Sequence, residues 1–132
     1  SLLPSLYATL DNLREVGDLT QAQGNEILSR IIVQDNHLFV AIDEEVGIIG
    51  SVSILIEQKF IRQGSLCAHI EDVVTRKGYE GKGVAKSLLQ VAIEYAKERQ
   101  CYKVILDCSE SLFPFYQKFG FRQDERHMRL DL

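Results

Sequence analysis

The sequence predicts a single α/β (α+β) domain over residues 1–132, with a mixed β-sheet flanked by helices. Three observations carry this expectation. Two β-rich runs, 37–42 and 46–57, are separated only by Asp43-Glu44-Glu45, which reads as a hairpin. A strand-like run ending at Thr75 leads through Glu80-Gly81-Lys82-Gly83-Val84-Ala85-Lys86-Ser87 into an apolar-striped helix. A continuous apolar run, 102–107, follows that helix and completes a βαβ unit behind the meander.

The elements follow in order. Leu6, Tyr7, Leu10, Leu13 and Val16 recur at helical spacing, and Gly17 ends the run. Thr20 is placed to N-cap a second helix over 21–33, with Ile27, Leu28, Ile31 and Ile32 on one face. The hairpin strands come next, then a polar connection over 59–65 and a third strand over 66–75. In that strand Leu66, Ala68 and Ile70 share one face, so period two puts Asp72 in line with them; an acid there predicts a bulge or a special site. The helix over 83–100 carries the stripes Val84, Leu88, Val91, Tyr95 and Ala85, Leu89, Ala92, Ala96. After strand 102–107, a short helix over 112–119 stops at Gly120, and Phe121 with 126–130 reads as a last strand. The predicted order is α-α-β-β-β-α-β-α-β.

The glycine loop has the chemistry of an anion cradle. Unpaired N–H groups of a first helical turn point outward, and the helix dipole adds partial positive charge. It is not a Walker A loop, because Ala85 and Glu80 stand where that motif needs glycine. It is not a dinucleotide fingerprint either, because Lys86 replaces the third glycine.

Composition narrows the partners. Hydrophobic residues make up 45% and charged ones 26%, ordinary for a globular domain, and no apolar run reaches the roughly 18 residues of a membrane span. Residues 1–50 carry two basic and eight acidic side chains, whereas 51–132 carry thirteen and eleven. Arg76, Lys77, Lys82 and Lys86 lie around the loop, with Lys59 and Arg62 upstream. A local basic zone on an acidic protein suits a small anionic ligand rather than nucleic acid. Cys67, Cys101 and Cys108 lack metal spacing and read as buried free thiols in a reducing compartment, with a nucleophilic cysteine as the minor alternative. No metal is expected: His37, His69 and His127 are scattered, and His69 reads as structural.

Four segments carry a family resemblance: Lys59-Phe60-Ile61-Arg62, His69-Ile70-Glu71-Asp72-Val73-Val74, Cys101-Tyr102-Lys103-Val104-Ile105-Leu106-Asp107-Cys108, and Phe115-Tyr116-Gln117-Lys118-Phe119-Gly120-Phe121. With the loop, they resemble the glucosamine-6-phosphate N-acetyltransferases of the GNAT superfamily, nearly colinearly from Leu6 to Met128. The superfamily loop is Gln/Arg-x-x-Gly-x-Gly/Ala; Gly83 and Ala85 match it, and Glu80 departs from it. Members usually have a strand before the first helix, and this chain begins after that point. The resemblance implies acetyl transfer from acetyl-CoA to the amine of glucosamine 6-phosphate by direct attack, on the route to UDP-N-acetylglucosamine. A cytoplasmic setting is expected, or an organelle if the natural chain carries an N-terminal extension.

It also implies residue roles. A bulge at Glu71-Asp72-Val73 would offer the Asp72 or Val73 N–H to the thioester oxyanion. Val73, Val74, Thr75, Gly81, Lys82, Gly83, Val84, Ala85, Lys86, Tyr116 and Lys118 would contact acetyl-CoA. Asp107 would hold the amine and help remove its proton, and Tyr116 would hydrogen-bond the departing sulfur. Thr20, Lys59, Phe60, Ile61, Arg62, Glu71, Asp72, Asp107 and Arg129 would contact the sugar phosphate. Arg129 stands in for a basic residue that the family commonly has two places later, where this chain has Asp131. A homodimer with a shared substrate site is implied, the 126–132 strand supplying a pairing edge. The rivals are an acetyltransferase of the same fold for another small amine, a non-catalytic acyl-CoA-binding module and a nucleotide-phosphate binder. A cationic acceptor would want acids in place of Lys59 and Arg62, a sensor would need neither Tyr116 nor Asp107, and a nucleotide binder would need the missing Walker glycines and a Mg²⁺ motif.

Overall fold

The structure, a computed structural model, describes residues 1–132. Two helices, α1 (Leu3–Leu10) and α2 (Gln21–Val33), precede the hairpin β1 (Asn36–Asp43) and β2 (Gly47–Gln58). A single tight turn, α3 (Ile61–Gly64), leads to β3 (Leu66–Thr75), the long helix α4 (Val84–Glu98) and a three-residue β4 (Lys103–Ile105). A 3₁₀ turn at Glu110–Leu112 runs into α5 (Phe113–Gln117). The four strands form one sheet in the order β1-β2-β3-β4, antiparallel except for the β3–β4 pair. This is the mixed, helix-flanked sheet that the sequence predicts.

The core lies between the sheet and α4. Val52, Ile54 and Ile56 of β2 and Ala68 and Ile70 of β3 alternate onto one face and meet Leu88, Leu89, Ala92 and Ala96. Each fully buried aliphatic side chain of Leu or Ile size is worth roughly 1.5–3 kcal/mol, so this face dominates the stability. Val91, in the other predicted stripe, is exposed. The far end of α4 is tied to the start of β1 by Arg99, which donates to both carboxylate oxygens of Asp35 at 2.9 and 2.8 Å. That fork, with the hydrogen bond from His37, holds the Asp35 carboxyl well below the usual range.

Thr20 caps α2 as expected. Its hydroxyl accepts from Gln23 N at 3.1 Å, and the Gln23 side chain accepts from Thr20 N at 2.9 Å, a full capping box. Helix α1 differs from the expectation: it starts three residues earlier, at Pro-favoured N-terminal positions, and ends at Leu10. Its predicted continuation is broken by side chains that bond backbone. Asp11 accepts from Val16 N at 2.8 Å, and Asn12 Nδ2 donates to Thr75 O at 2.6 Å.

The predicted last strand does not form. Residues 122–132 have no ladder and are all exposed, because β4 pairs over only three residues and no strand lies beyond it. The strand expected over 102–107 contracts to β4, because its parallel ladder with β3 ends at His69–Ile105, just before the irregularity in β3.

Gly50 sets how closely α4 approaches the sheet. A Cβ there would overlap Val84 Cγ1 and lie 2.9 Å from Leu88 Cδ1. Gly50→Ala is expected to destabilise the protein by about 1–3 kcal/mol, the usual cost of overpacking. Urea unfolding reads this as a lower midpoint at constant slope, and an unchanged midpoint contradicts it.

Candidate active site

The site begins with a register break. Ser51 pairs with Val74 and Ser53 with Glu71, so Val52 alone faces both Asp72 and Val73. Asp72 takes the extra place with φ 51, a left-handed conformation that aspartate tolerates better than most residues. The bulge turns Asp72 outward, so Val73 rather than Asp72 packs against the core. The predicted phase irregularity is therefore a bulge at the predicted residues.

Beside it the sheet opens. The parallel ladder stops at His69–Ile105, while β3 continues to Thr75 with ladder partners on β2 alone. A wedge is left between β3 and the chain after β4. One side of the wedge is β3 backbone with no strand neighbour there, its Thr75 C=O already accepting from Asn12 Nδ2.

The glycine loop sits at the end of that strand. Gly78, Gly81 and Gly83 have φ 94, 76 and 82, and nothing lies within 4 Å of where their Cβ atoms would be. Gly83 is the N-cap of α4 and gives no side-chain cap, so the first-turn N–H groups of Val84, Ala85 and Lys86 remain free to meet an anion. No acidic residue lies in that first turn. Glu80, the departure from the superfamily loop, folds back and accepts from Gly78 N at 3.1 Å, bracing the turn. Lys82 Nζ lies 5.4 Å from the Tyr79 ring centre.

A cavity of about 1120 Å³ adjoins the wedge, lined by β4, Asp107, Cys108, α5 and residues 119–128 of the C-terminal segment. Tyr116 lies at its wall, 7% exposed, held edge-to-face by Phe115 and Phe121. Burial pushes its phenol up, so it stays protonated at neutral pH. Asp107 lies in the same cavity and pairs with His127 Nδ1 at 3.2 Å. Burial, then repulsion from Asp72 and Asp107, pushes the Glu71 carboxyl up. Tyr116 and Asp107 line one cavity, and Asp107 is close enough to Glu71 to repel its carboxylate. The three cysteines are free, and burial pushes all three thiols up, the reverse of nucleophile activation.

The basic residues divide. Lys59 is held by Glu57 at 3.2 Å, which raises its pKa. The α3 turn, with Arg62 and Gln63 at φ 52 and 60, lays the Arg62 guanidinium 4.7 Å from the Tyr102 ring centre; Phe60 and Ile61 are exposed beside it. Lys103, which the sequence reading missed, lies 5.4 Å from the same ring centre. Its signal was the next position in the Cys-Tyr-Lys segment. Thr20 spends its hydroxyl on the α2 cap, Lys118 is exposed, and Arg129 Nε donates to Asp131 at 2.7 Å on the exposed tail. None of these three lines the cavity.

The pattern of the acetyltransferase (GNAT) family matches residues 5–121. The chain belongs to that family. Among relatives, glucosamine 6-phosphate N-acetyltransferase of Trypanosoma brucei brucei is 52% identical over 85 residues, 64% of this chain and 58% of that protein. The enzyme of the same name from Arabidopsis thaliana is 40% identical over 88 residues, 65% of this chain and 59% of that protein. The matched segments thus span less than two thirds of these relatives' length. A crystal structure of a Trypanosoma brucei acetyltransferase superposes with TM-score 0.95 at 40% identity, covering 98% of this chain and 92% of that one. The Arabidopsis thaliana glucosamine-6-phosphate N-acetyltransferase structure gives 0.91 at 28% identity, covering 99% and 93%.

For the GNAT site, the raised Glu71 carboxyl has a measurable consequence. The folded form holds that proton more tightly than the unfolded chain does. Its contribution is therefore full below the unfolded carboxyl range and is lost as pH rises through the folded value. Glu71→Gln is expected to be more stable than the parent near about pH 7, with the gain vanishing toward about pH 4, where unfolded glutamate titrates. Thermal melts across that range read it; a gain independent of pH contradicts it.

Proposed function

We propose that this protein transfers the acetyl group of acetyl-CoA to the 2-amine of D-glucosamine 6-phosphate, releasing N-acetylglucosamine 6-phosphate and CoA. One observation carries the proposal: the Asp72 bulge opens β3 between an uncapped α4 N-terminus and the cavity holding Tyr116 and Asp107. The similarity to relatives bearing that enzyme name supports the acceptor.

Each part of the reaction has a residue suited to it. The pyrophosphate of acetyl-CoA lies on the N–H groups of Val84, Ala85 and Lys86, with Gly81, Lys82 and Gly83 forming the approach. The pantetheine arm runs along the open edge of Val73, Val74 and Thr75, pairing as an added strand would. The Val73 or Asp72 N–H receives the thioester oxygen; one such donor is worth about 2.7–4 kcal/mol in the transition state. Asp107, with Glu71 and Asp72 nearby, holds the sugar amine and draws off its proton. The amine nitrogen attacks the carbonyl carbon, and the tetrahedral intermediate collapses with loss of the C–S bond. Tyr116 donates its proton to the departing thiolate. Lys59, Arg62 and Lys103 supply positive charge for the phosphate dianion. Met128, Leu130 and Leu132, all exposed and at alternate positions, form the apolar face of a tail that pairs with a second copy in a homodimer.

The test is thiol release from acetyl-CoA with glucosamine 6-phosphate and with glucosamine. Turnover only with the phosphorylated sugar, and a roughly 10²-fold lower kcat for Tyr116→Phe, is the expected result. Light scattering of the chain with and without residues 124–132 reads the dimer, expected to be lost on truncation. Turnover with another amine, or acetyl-CoA binding without turnover on either sugar, sinks the assignment in favour of a different acceptor or a binding module.

A further inference from the structure

The sheet face opposite α4 carries a cluster that the acetyl-transfer chemistry does not use. Cys67 and His69 are two apart on β3 and so point the same way. Glu57 is the direct cross-strand partner of Cys67, on β2. The sulfur, the imidazole nitrogen and a carboxylate oxygen all lie within 4.8 Å of one another. His69 presents Nε2 to Glu57 Oε1 at 2.7 Å.

We propose that Glu57, Cys67 and His69 form a binding site for a thiophilic divalent cation of the zinc class. The donor set is one thiolate sulfur, one imidazole nitrogen and one carboxylate oxygen, the combination tetrahedral Zn²⁺ takes with one position left to water. The separations fit with small movements. Bonds of about 2.0–2.3 Å around a tetrahedral ion put donors about 3.3–3.8 Å apart. The Glu57–His69 contact therefore opens slightly and the sulfur moves inward. Two adjacent strands of a packed sheet fix all three Cα positions, which is the preorganisation a metal site needs.

Coordination replaces three existing interactions in a balanced way. The Cys67 S–H bond breaks, its proton leaves to solvent, and the sulfur lone pair forms the metal bond. His69 ligates through the nitrogen that now faces Glu57. Glu57 gives up Lys59, whose ammonium is 3.2 Å from Oε1. Lys59 and Lys103, the cations beside the cluster, limit its affinity, so the site takes a metal that gains from sulfur and nitrogen and discriminates against Mg²⁺ and Ca²⁺. The released Lys59 couples metal to acceptor binding. That coupling rests on the function proposed above; the metal site does not.

The test is a Co²⁺ titration of the full reduced chain, read by absorption in the absence of acetyl-CoA and sugar. A near-ultraviolet thiolate-to-cobalt band and visible tetrahedral bands are expected to saturate near about one equivalent per chain, and Zn²⁺ is expected to displace them. His69→Gln and Glu57→Gln replace partly exposed side chains and are expected to weaken binding at least about tenfold while circular dichroism stays unchanged. Cys67→Ser is expected to abolish the thiolate band; Cys101→Ser and Cys108→Ser are expected to retain it. Absence of a thiolate band in the parent overturns the proposal, as does a band carried by Cys101 or Cys108. Unchanged affinity in both His69→Gln and Glu57→Gln overturns it too, and these two decide the matter if Cys67→Ser fails to fold.

Discussion

The site depends on one extra residue in β3. Placing Asp72 and Val73 opposite Val52 alone costs a regular ladder and a favourable backbone conformation, with Asp72 at φ 51. The strand keeps both faces useful as a result. Before the bulge, Ala68 and Ile70 feed the core; after it, Val73 does so, and the acid that would have pointed into apolar packing turns outward. The ladder to β4 ends before the bulge, at His69–Ile105, leaving the later part of β3 with β2 as its one ladder neighbour. Sheet pairing is given up there for an open strand edge.

Packing elsewhere holds that wedge open. The α4 stripe of Leu88, Leu89, Ala92 and Ala96 lies over the strand segments that flank the bulge, so the helix N-terminus has a fixed position relative to the open edge. Gly50 permits the close approach, and the Arg99–Asp35 fork secures the other end of the helix. Tyr116 belongs both to the core and to the cavity wall. Its position is therefore set by packing, and its protonation by the same burial that fixes it.

Much of this arrangement was legible because it is local. The phase of Leu66, Ala68 and Ile70 against Asp72 located the bulge, and Thr20 announced its helix; Gly120, at φ 97, lies in the turn after α5, which ends earlier than expected, at Gln117. What was not legible depends on chain segments meeting. The helical spacing of Leu13 and Val16 promised more α1, but the Asn12 amide found Thr75 O sixty-three residues away. Phe121 with residues 126–130 promised a last strand, but a strand needs an edge to pair with, and β4 offers three residues. The Glu57–Cys67–His69 cluster was hidden because its members are neighbours only through cross-strand register. Lys59 and Arg62 were visible as charges, but their partners, Glu57 and the Tyr102 ring, were not.

The central claim is that the open edge of β3 after the bulge is where acetyl-CoA lies. Hydrogen–deuterium exchange with and without acetyl-CoA addresses it directly, since a strand-like ligand must protect the amides it pairs with. The account predicts slower exchange in peptides covering Val73–Thr75 and the α4 N-terminus, with little change in those confined to β1. Unchanged exchange at Val73–Thr75 under saturating acetyl-CoA would contradict it.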